Sequence, residues 1–276
     1  MTPPAPYRIA IVGAGLMGAG LARLFGAAGW PVSIYDPHAA PIDGVRWATS
    51  LADAAADADF VIEAASEQLA IKQAIFAELA SATDAILATN SSVIPVGAIT
   101  ADLDDATAAR TIGMHFWNPP DIVPLVEVIA GPRSRADVID RGMTMLRAAG
   151  KEPVHVRRDT VPGNRLQHAL WREAMALVDE GVCSPEDVDM IVKRSFGLRL
   201  AVLGPLENAD LVGLTLTRQI HDVVLPTLSR ATEPSPALTQ RIAAGTTFHA
   251  GQTPEKLAGL RAALVDHLVT ATGGRR

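Results

Sequence analysis

Cysteine is almost missing from this chain of 276 residues: Cys183 stands alone. No internal disulfide framework can form, and such usage suits the reducing cytoplasm, where the protein is expected to reside. Aromatic residues make up only 4%. Positive charge is not in excess either. The formal net charge is −6, so the basic footprint of a nucleic-acid binder is lacking. No uninterrupted apolar run approaches the roughly 18 residues of a membrane span. The opening MTPPAPYRIAIVGAG lacks a basic segment followed by an apolar stretch and cleavage site, so no leader is expected. Small molecules are therefore the expected partners, with no nucleic acid, membrane or metal. What is present is 49% hydrophobic residues and a mean hydropathy of +0.21. That supports a substantial core, and the length suits two ordinary domains.

The first informative pattern is a β-α-β unit. Tyr7 to Val12 is an apolar run rich in Ile and Val, which reads as a buried parallel strand. Gly13-Ala14-Gly15-Leu16-Met17-Gly18 follows at once, then a helix pattern from Met17 to Ala28, then a second strand, Val32 to Tyr35, ending on Asp36. Strand, glycine turn, helix, strand and acid together form the dinucleotide fingerprint. Gly13 makes the tight turn, Gly15 lets backbone approach a pyrophosphate, and Gly18 lets helix and strand pack closely. Leu16 and Met17 sit at the helix start, whose free N–H groups and partial positive charge suit phosphates. Asp36 would accept hydrogen bonds from the ribose and repel a 2′-phosphate, which favours NAD over NADP.

Strand and helix signals continue to alternate. Phe60–Ala64, Ala85–Thr89, Thr111–His115, Leu125–Ile129 and Val154–Val156 read as strands. Ile71–Ala80 and Ser134–Ala149 read as helices, with Ser134 as the expected N-cap. After Pro162-Gly163 the texture becomes helical: Asn164–Glu180, a start at Ser184-Pro185-Glu186-Asp187, then Leu211–Leu228, Pro236–Ala244 and Pro254–Val269. The expected fold class is α/β: a doubly wound sheet of the Rossmann type, then an all-α domain. The expected domains are 1–158 for NAD and 159–276 for substrate and dimerisation. Cys183 lies just before a helix start with no activating partner in view, and reads as structural.

Chemistry should sit at the carboxyl ends of the strands. His115 ends one strand, in GMHFWNPP, and Glu127 lies twelve residues on inside the apolar run PLVEVI. A lone carboxylate there needs a partner, because burying an unpaired charge is costly. A histidine would satisfy it, and the pair could then work as a base. By residues alone, His115 is either that proton acceptor or a core histidine bonded to backbone. Thr89-Asn90-Ser91-Ser92 is likewise a plain polar loop or a ligand for a substrate oxygen. Arg165, Arg172 and Arg199 are either solvated arginines or carboxylate ligands. Trp117 and Trp171 read first as packing residues.

Across nearly its whole length the chain resembles the 3-hydroxyacyl-CoA dehydrogenase family, through GAGLMGAG, VIEAASEQLAIK, NSSV, GMHFWNPPDIVPLVEVIAG and NRLQHALWREA. Phe196-Gly197-Leu198-Arg199 and Leu203-Gly204-Pro205-Leu206-Glu207 resemble the branch holding L-gulonate 3-dehydrogenase, lambda-crystallin and carnitine dehydrogenase. The resemblance implies NAD-dependent oxidation of the hydroxyl of a small 3-hydroxy acid. An acyl-CoA substrate and a non-catalytic NAD-binding or structural protein are the alternatives. It implies His115 as base, Glu127 as its orienting partner, Ser91 bonded to the reacting oxygen and the histidine, and Asn164 in support. Glu67 and Lys72 match residues near the nicotinamide ribose, and a homodimer follows by analogy. Three stretches depart from the family. The insertion after the second strand, which helps hold coenzyme A, is missing; Pro162-Gly163-Asn164-Arg165 is shortened; and Gly245-Thr246-Thr247-Phe248-His249 replaces the usual close.

Overall fold

The Ile- and Val-rich runs become strands of one sheet, because β-branched side chains pack well on a pleated surface buried from both sides. The computed structural model describes residues 6–273. Its strands are β1 (Ile9–Val12), β2 (Val32–Tyr35), β3 (Arg46–Trp47), β4 (Phe60–Glu63), β5 (Ile86–Thr89), β6 (Thr111–Phe116), β7 (Leu125–Ile129) and β8 (Glu152–Val156). They lie in the order β3-β2-β1-β4-β5-β6-β7-β8. Every neighbouring pair is parallel except β6 and β7. The order reverses between β1 and β4, the crevice where open α/β sheets receive ligands.

Helices α1 (Leu16–Ala27), α2 (Leu51–Ala55), α3 (Leu69–Ala82), α4 (Val96–Ile99), α5 (Asp105–Ala109) and α6 (Ala136–Ala148) belong to the same half of the chain. Leu21 and Phe25 of α1 and Val138 and Leu146 of α6 share one core with Ile11, Ile62, Met114, Phe116 and Val126. Leu51 of α2 and Phe76 and Leu79 of α3 share another with Val12, Val61 and Leu87. Side chains alternate across a strand, so Met114 and Phe116 serve the first core while Gly113 and His115 face the other side.

The structure departs from the sequence reading at several points. β7 runs antiparallel to β6, since residues 117–124 contain no crossover helix and a parallel return needs one. β3 has two residues, too few to show alternation, and α4 and α5 are too short for a helical period. Ser134 does not cap α6. The N-cap is Arg135, and the Ser134 hydroxyl instead accepts from the Gly131 N–H and donates to the Thr111 carbonyl.

The remaining helices are α7 (Pro162–Asp179), α8 (Pro185–Arg194), α9 (Gly197–Leu200), α10 (Pro205–Val212), α11 (Leu214–Val224), α12 (Pro236–Ala244) and α13 (Pro254–Ala271). The expected Leu211–Leu228 helix is broken at Gly213, whose φ of +96° leaves the helical region. Ser184 caps α8 by accepting from the Asp187 N–H at 3.1 Å, with Pro185 in the first turn. The chain divides into two compact units: the part up to Pro162 together with the segment from Arg261, and Gly163–Leu260. Helices α7 and α11 have no buried residue, and Leu166, Trp171, Leu216, Ile220 and Val223 are exposed. Among the described residues no helix is long and apolar enough to cross a membrane.

Candidate active site

The glycine turn follows β1 directly. Gly13 has φ +101°, and a Cβ there would come within 2.7 Å of the Ala64 carbonyl oxygen. A Cβ on Gly18 would lie 1.9 Å from the Gly13 carbonyl oxygen, whereas one on Gly15 would meet nothing within 4 Å. Gly13 and Gly18 are therefore required by packing, while Gly15 borders open space. Gly15 is also the N-cap of α1 and supplies no side-chain cap, so the first N–H groups of that helix are available to an anion. Leu16 is exposed at the helix start and Met17 packs partly against the core. These residues fit a dinucleotide pyrophosphate.

Asp36, at the end of β2, closes the turn. Its Oδ2 accepts from the Ala14 N–H at 2.8 Å, and its Oδ1 from the N–H groups of His38 and Ala39 at 2.8 and 3.1 Å. Partial burial raises its pKa, but the three backbone donors outweigh that and hold the carboxyl below its ordinary value. The Asp36 carboxylate is thus kept ionised.

His115 lies near the end of β6, and the antiparallel β7 sets Glu127 opposite it in register. Both side chains are buried, and His115 Nδ1 lies 2.8 Å from Glu127 Oε2. The carboxylate accepts the Nδ1 proton, so a neutral ring carries its lone pair on Nε2. Nε2 is 3.1 Å from the Ser92 hydroxyl. The Trp117 ring stands edge-on to the imidazole at 5.5 Å between centroids. The 117–124 loop is fixed from two sides. Pro120 sits where a Cβ on Gly20 would approach within 2.5 Å, and Arg23 of α1 donates to Asp121 at 2.8 Å. Lys151 donates to the Val123 carbonyl at 2.8 Å. Burial lowers the Lys151 pKa to about 8 despite the nearby Asp121.

The serine against the histidine is Ser92, which corrects the expectation for Ser91. Backbone past a strand end no longer keeps strict alternation, so of two adjacent serines the sequence could not show which faces His115. Ser91 instead donates to Glu67 Oε1 and accepts from the Ile94 N–H at 2.8 Å. Glu67 also meets Lys72 Nζ at 3.4 Å. Burial raises the Glu67 pKa, but the Ser91 hydrogen bond, the Lys72 charge and the Val93 N–H together hold it below its ordinary value. Sequence reasoning missed Glu63, at the end of β4. It is fully buried and paired with Lys72 at 2.7 Å. The signal was present: an acid ending an apolar strand, the same cue that singled out Glu127. Asn164 lies in the first turn of α7, in the helical unit.

Residues 8–45 and 38–160 match the 3-hydroxyacyl-CoA dehydrogenase NAD binding domain, and residues 162–253 match the C-terminal domain of the same enzymes. The chain is 32% identical over 267 residues to 5-formyl-3-hydroxy-2-methylpyridine 4-carboxylate 5-dehydrogenase of Mesorhizobium japonicum, covering 86% of this chain and 85% of the relative. It is 35% identical over 240 residues to L-carnitine dehydrogenase of Nocardiopsis dassonvillei, covering 77% and 73%. Among solved structures, 5-formyl-3-hydroxy-2-methylpyridine 4-carboxylic acid 5-dehydrogenase, an NAD+ dependent dismutase, superposes with a TM-score of 0.89 at 29% identity, covering 99% of this chain and 100% of that one. A 3-hydroxyacyl-CoA dehydrogenase from Archaeoglobus fulgidus gives 0.73 at 27% identity, covering 98% and 100%.

Proposed function

The chain belongs to the 3-hydroxyacyl-CoA dehydrogenase family, and from that premise we propose that it oxidises the hydroxyl of a small 3-hydroxy acid that carries no coenzyme A. It is an NAD-dependent dehydrogenase acting on a CH–OH group, as its family membership implies. The observation that carries the proposal is the buried His115–Glu127 pair, whose Nε2 meets the Ser92 hydroxyl at the ligand edge of the sheet. NAD, when bound, supplies the hydride acceptor. His115 Nε2 takes the hydroxyl proton as the carbinol carbon gives up hydride. Glu127 holds the ring in the tautomer that can accept, and its charge stabilises the imidazolium that results. Ser92 is placed to hydrogen-bond the same substrate oxygen, and Ser91 holds Glu67. Gly13, Gly15, Gly18 and Asp36 hold the cofactor, with Leu16 and Met17 at the helix start beside it.

The absence of coenzyme A from the substrate is supported by the connection after β2. Between Tyr35 and α2 the chain forms only the two-residue β3, with no helix. It is also supported by the L-carnitine dehydrogenase relative, since L-carnitine is itself a small hydroxy acid. In this reading residues 1–158 are the NAD-binding domain and residues 159–276 serve substrate binding and dimerisation. Arg165, Arg172 and Arg199 are its carboxylate ligands, and the role of Asn164 rests on the family resemblance. The exposed apolar residues of α7 and α11 support a homodimer, which light scattering would detect as twice the chain mass. The site of action is the cytoplasm. The test is a panel of hydroxy acids with NAD and NADP, together with acetoacetyl-CoA and small keto acids plus NADH. NADH formation from a small 3-hydroxy acid with NAD is expected. Preference for acetoacetyl-CoA would overturn the proposal in favour of an acyl-CoA enzyme. No turnover at all would favour a structural role, and a lambda-crystallin is among the relatives.

A further inference from the structure

Between the glycine turn and His115 lies a set of charges that proton transfer does not use. Lys72, 1% exposed, stands 2.7 Å from Glu63 Oε1 and 3.4 Å from Glu67 Oε2. Glu63 is fully buried; its Oε1 also accepts from the Ala65 N–H and its Oε2 from the Thr89 hydroxyl, both at 2.7 Å. Glu63 therefore neutralises Lys72 from the interior side, at the shorter distance. Lys72 can then orient Glu67 without cancelling its charge. One cation facing two carboxylates leaves a surplus of one negative charge, and it sits on the exposed member, Glu67, whose side chain is 38% accessible.

The place gives that charge a meaning. Val12, Glu63, Thr89 and Gly113 form one row across the sheet in register, and His115 lies two residues beyond Gly113. A dinucleotide whose pyrophosphate rests on the glycine turn must cross the ends of β4 and β5 to bring its ring to His115. That ring is cationic in NAD+ and neutral in NADH.

We propose that the Glu63–Lys72–Glu67 group tunes the cofactor couple: its surplus negative charge makes the enzyme bind NAD+ in preference to NADH, so that it loads the oxidised cofactor and releases the reduced one, while the potential of the bound couple is lowered. Glu67 acts directly on the cofactor, and Glu63 is a positioning residue acting through Lys72. The inference rests on the reading that NAD serves His115 across this edge.

Binding measures it without turnover. Dissociation constants for NAD+ and for NADH are determined by titration calorimetry on wild type, Glu67→Gln and Glu63→Gln, with thermal unfolding as a control. Each variant removes one negative charge and keeps the side chain's shape. In each, the ratio Kd(NAD+)/Kd(NADH) should rise on the order of three- to tenfold, the scale for a half-exposed charge near a cationic ring. A tenfold rise equals about 30 mV in the bound two-electron couple. A pair that merely knits the loops together would change both constants equally or change only stability. Glu63 is out of ligand reach, so a shifted ratio there reports charge and not a lost ligand hydrogen bond. If Glu63→Gln does not fold, Glu67→Gln alone decides. Both dinucleotides binding Glu67→Gln in an unchanged ratio overturns the proposal and leaves the dehydrogenase reading standing. Neither binding wild type would sink the two together.

Discussion

Replacing Gly15 and Gly18 separately by alanine should uncouple cofactor binding from folding, although both belong to one turn. At Gly18 the new Cβ would lie 1.9 Å from the Gly13 carbonyl oxygen. Backbone would have to move by more than an ångström, because carbon–oxygen contacts below ~3 Å are repulsive. Overpacking of ordinary cores costs about 1–3 kcal/mol, and here the obstacle is main chain, so a loss of about 3 kcal/mol or more is expected. For a domain of this size that lowers Tm by about 6–12 °C. At Gly15 nothing lies within 4 Å, and its φ of −65° and ψ of −167° are open to alanine. Tm should hold or rise slightly as the unfolded chain loses freedom. The methyl group would, however, occupy the approach of the pyrophosphate and cost it a charge-assisted hydrogen bond or two. NAD affinity should fall about 10- to 100-fold. Thermal unfolding with and without NAD, alongside NAD titrations, reads both effects. Wild-type NAD affinity in Gly15→Ala, or an unshifted Tm in Gly18→Ala, would refute this account of the turn.

Three further outcomes follow from the geometry. Glu127→Gln removes the charge 2.8 Å from His115 Nδ1; kcat should drop about 10- to 100-fold with NAD affinity kept, the scale of one charge-assisted hydrogen bond, and an unaltered kcat would deny Glu127 its role. Asp36→Ser deletes the charge held at the end of β2, so NADP should gain on NAD by about tenfold or more in binding; an unmoved preference would mean that other groups reject the 2′-phosphate. Lys151 titrates near 8 when folded against an ordinary 10.5, so the unfolded chain keeps its proton to higher pH and stability should rise as pH climbs between those values. The Lys151→Met variant should lack this rise, and wild type should gain about 2–3 kcal/mol on it between about pH 7 and about pH 10 in denaturant titrations; parallel curves would show that Lys151 is not depressed.

Much of the nucleotide-binding half is legible in the sequence. Short aliphatic runs, a glycine turn and a terminal acid each carry a local physical requirement, so β1, α1 and β2 emerge almost where expected. Glu127 was legible because a carboxylate inside an apolar run demands a partner, and register across β6 and β7 supplies His115. Other features depend on long-range geometry. Nothing local distinguishes Ser91 from Ser92, since the choice depends on how the backbone turns after β5. The antiparallel β7 follows from a short connection whose length alone could not exclude an edge strand on the other side. Gly213 looks like any helical glycine until its positive φ is seen. In Gly163–Leu260 the helices show clearly through Ser184-Pro185 and similar starts, but the sequence pattern could not reveal that α7 and α11 would leave Leu166, Trp171 and Ile220 exposed.

The proposed oxidation turns on His115 as the group that receives the substrate proton. Measuring kcat for His115→Ala, on whichever hydroxy acid the wild-type panel identifies, puts that most directly at risk, with NAD affinity recorded on the same preparation. A fall of about 10²- to 10⁴-fold, the usual worth of a positioned general base, with NAD bound as tightly as before, is the predicted result. Turnover close to wild type would contradict it.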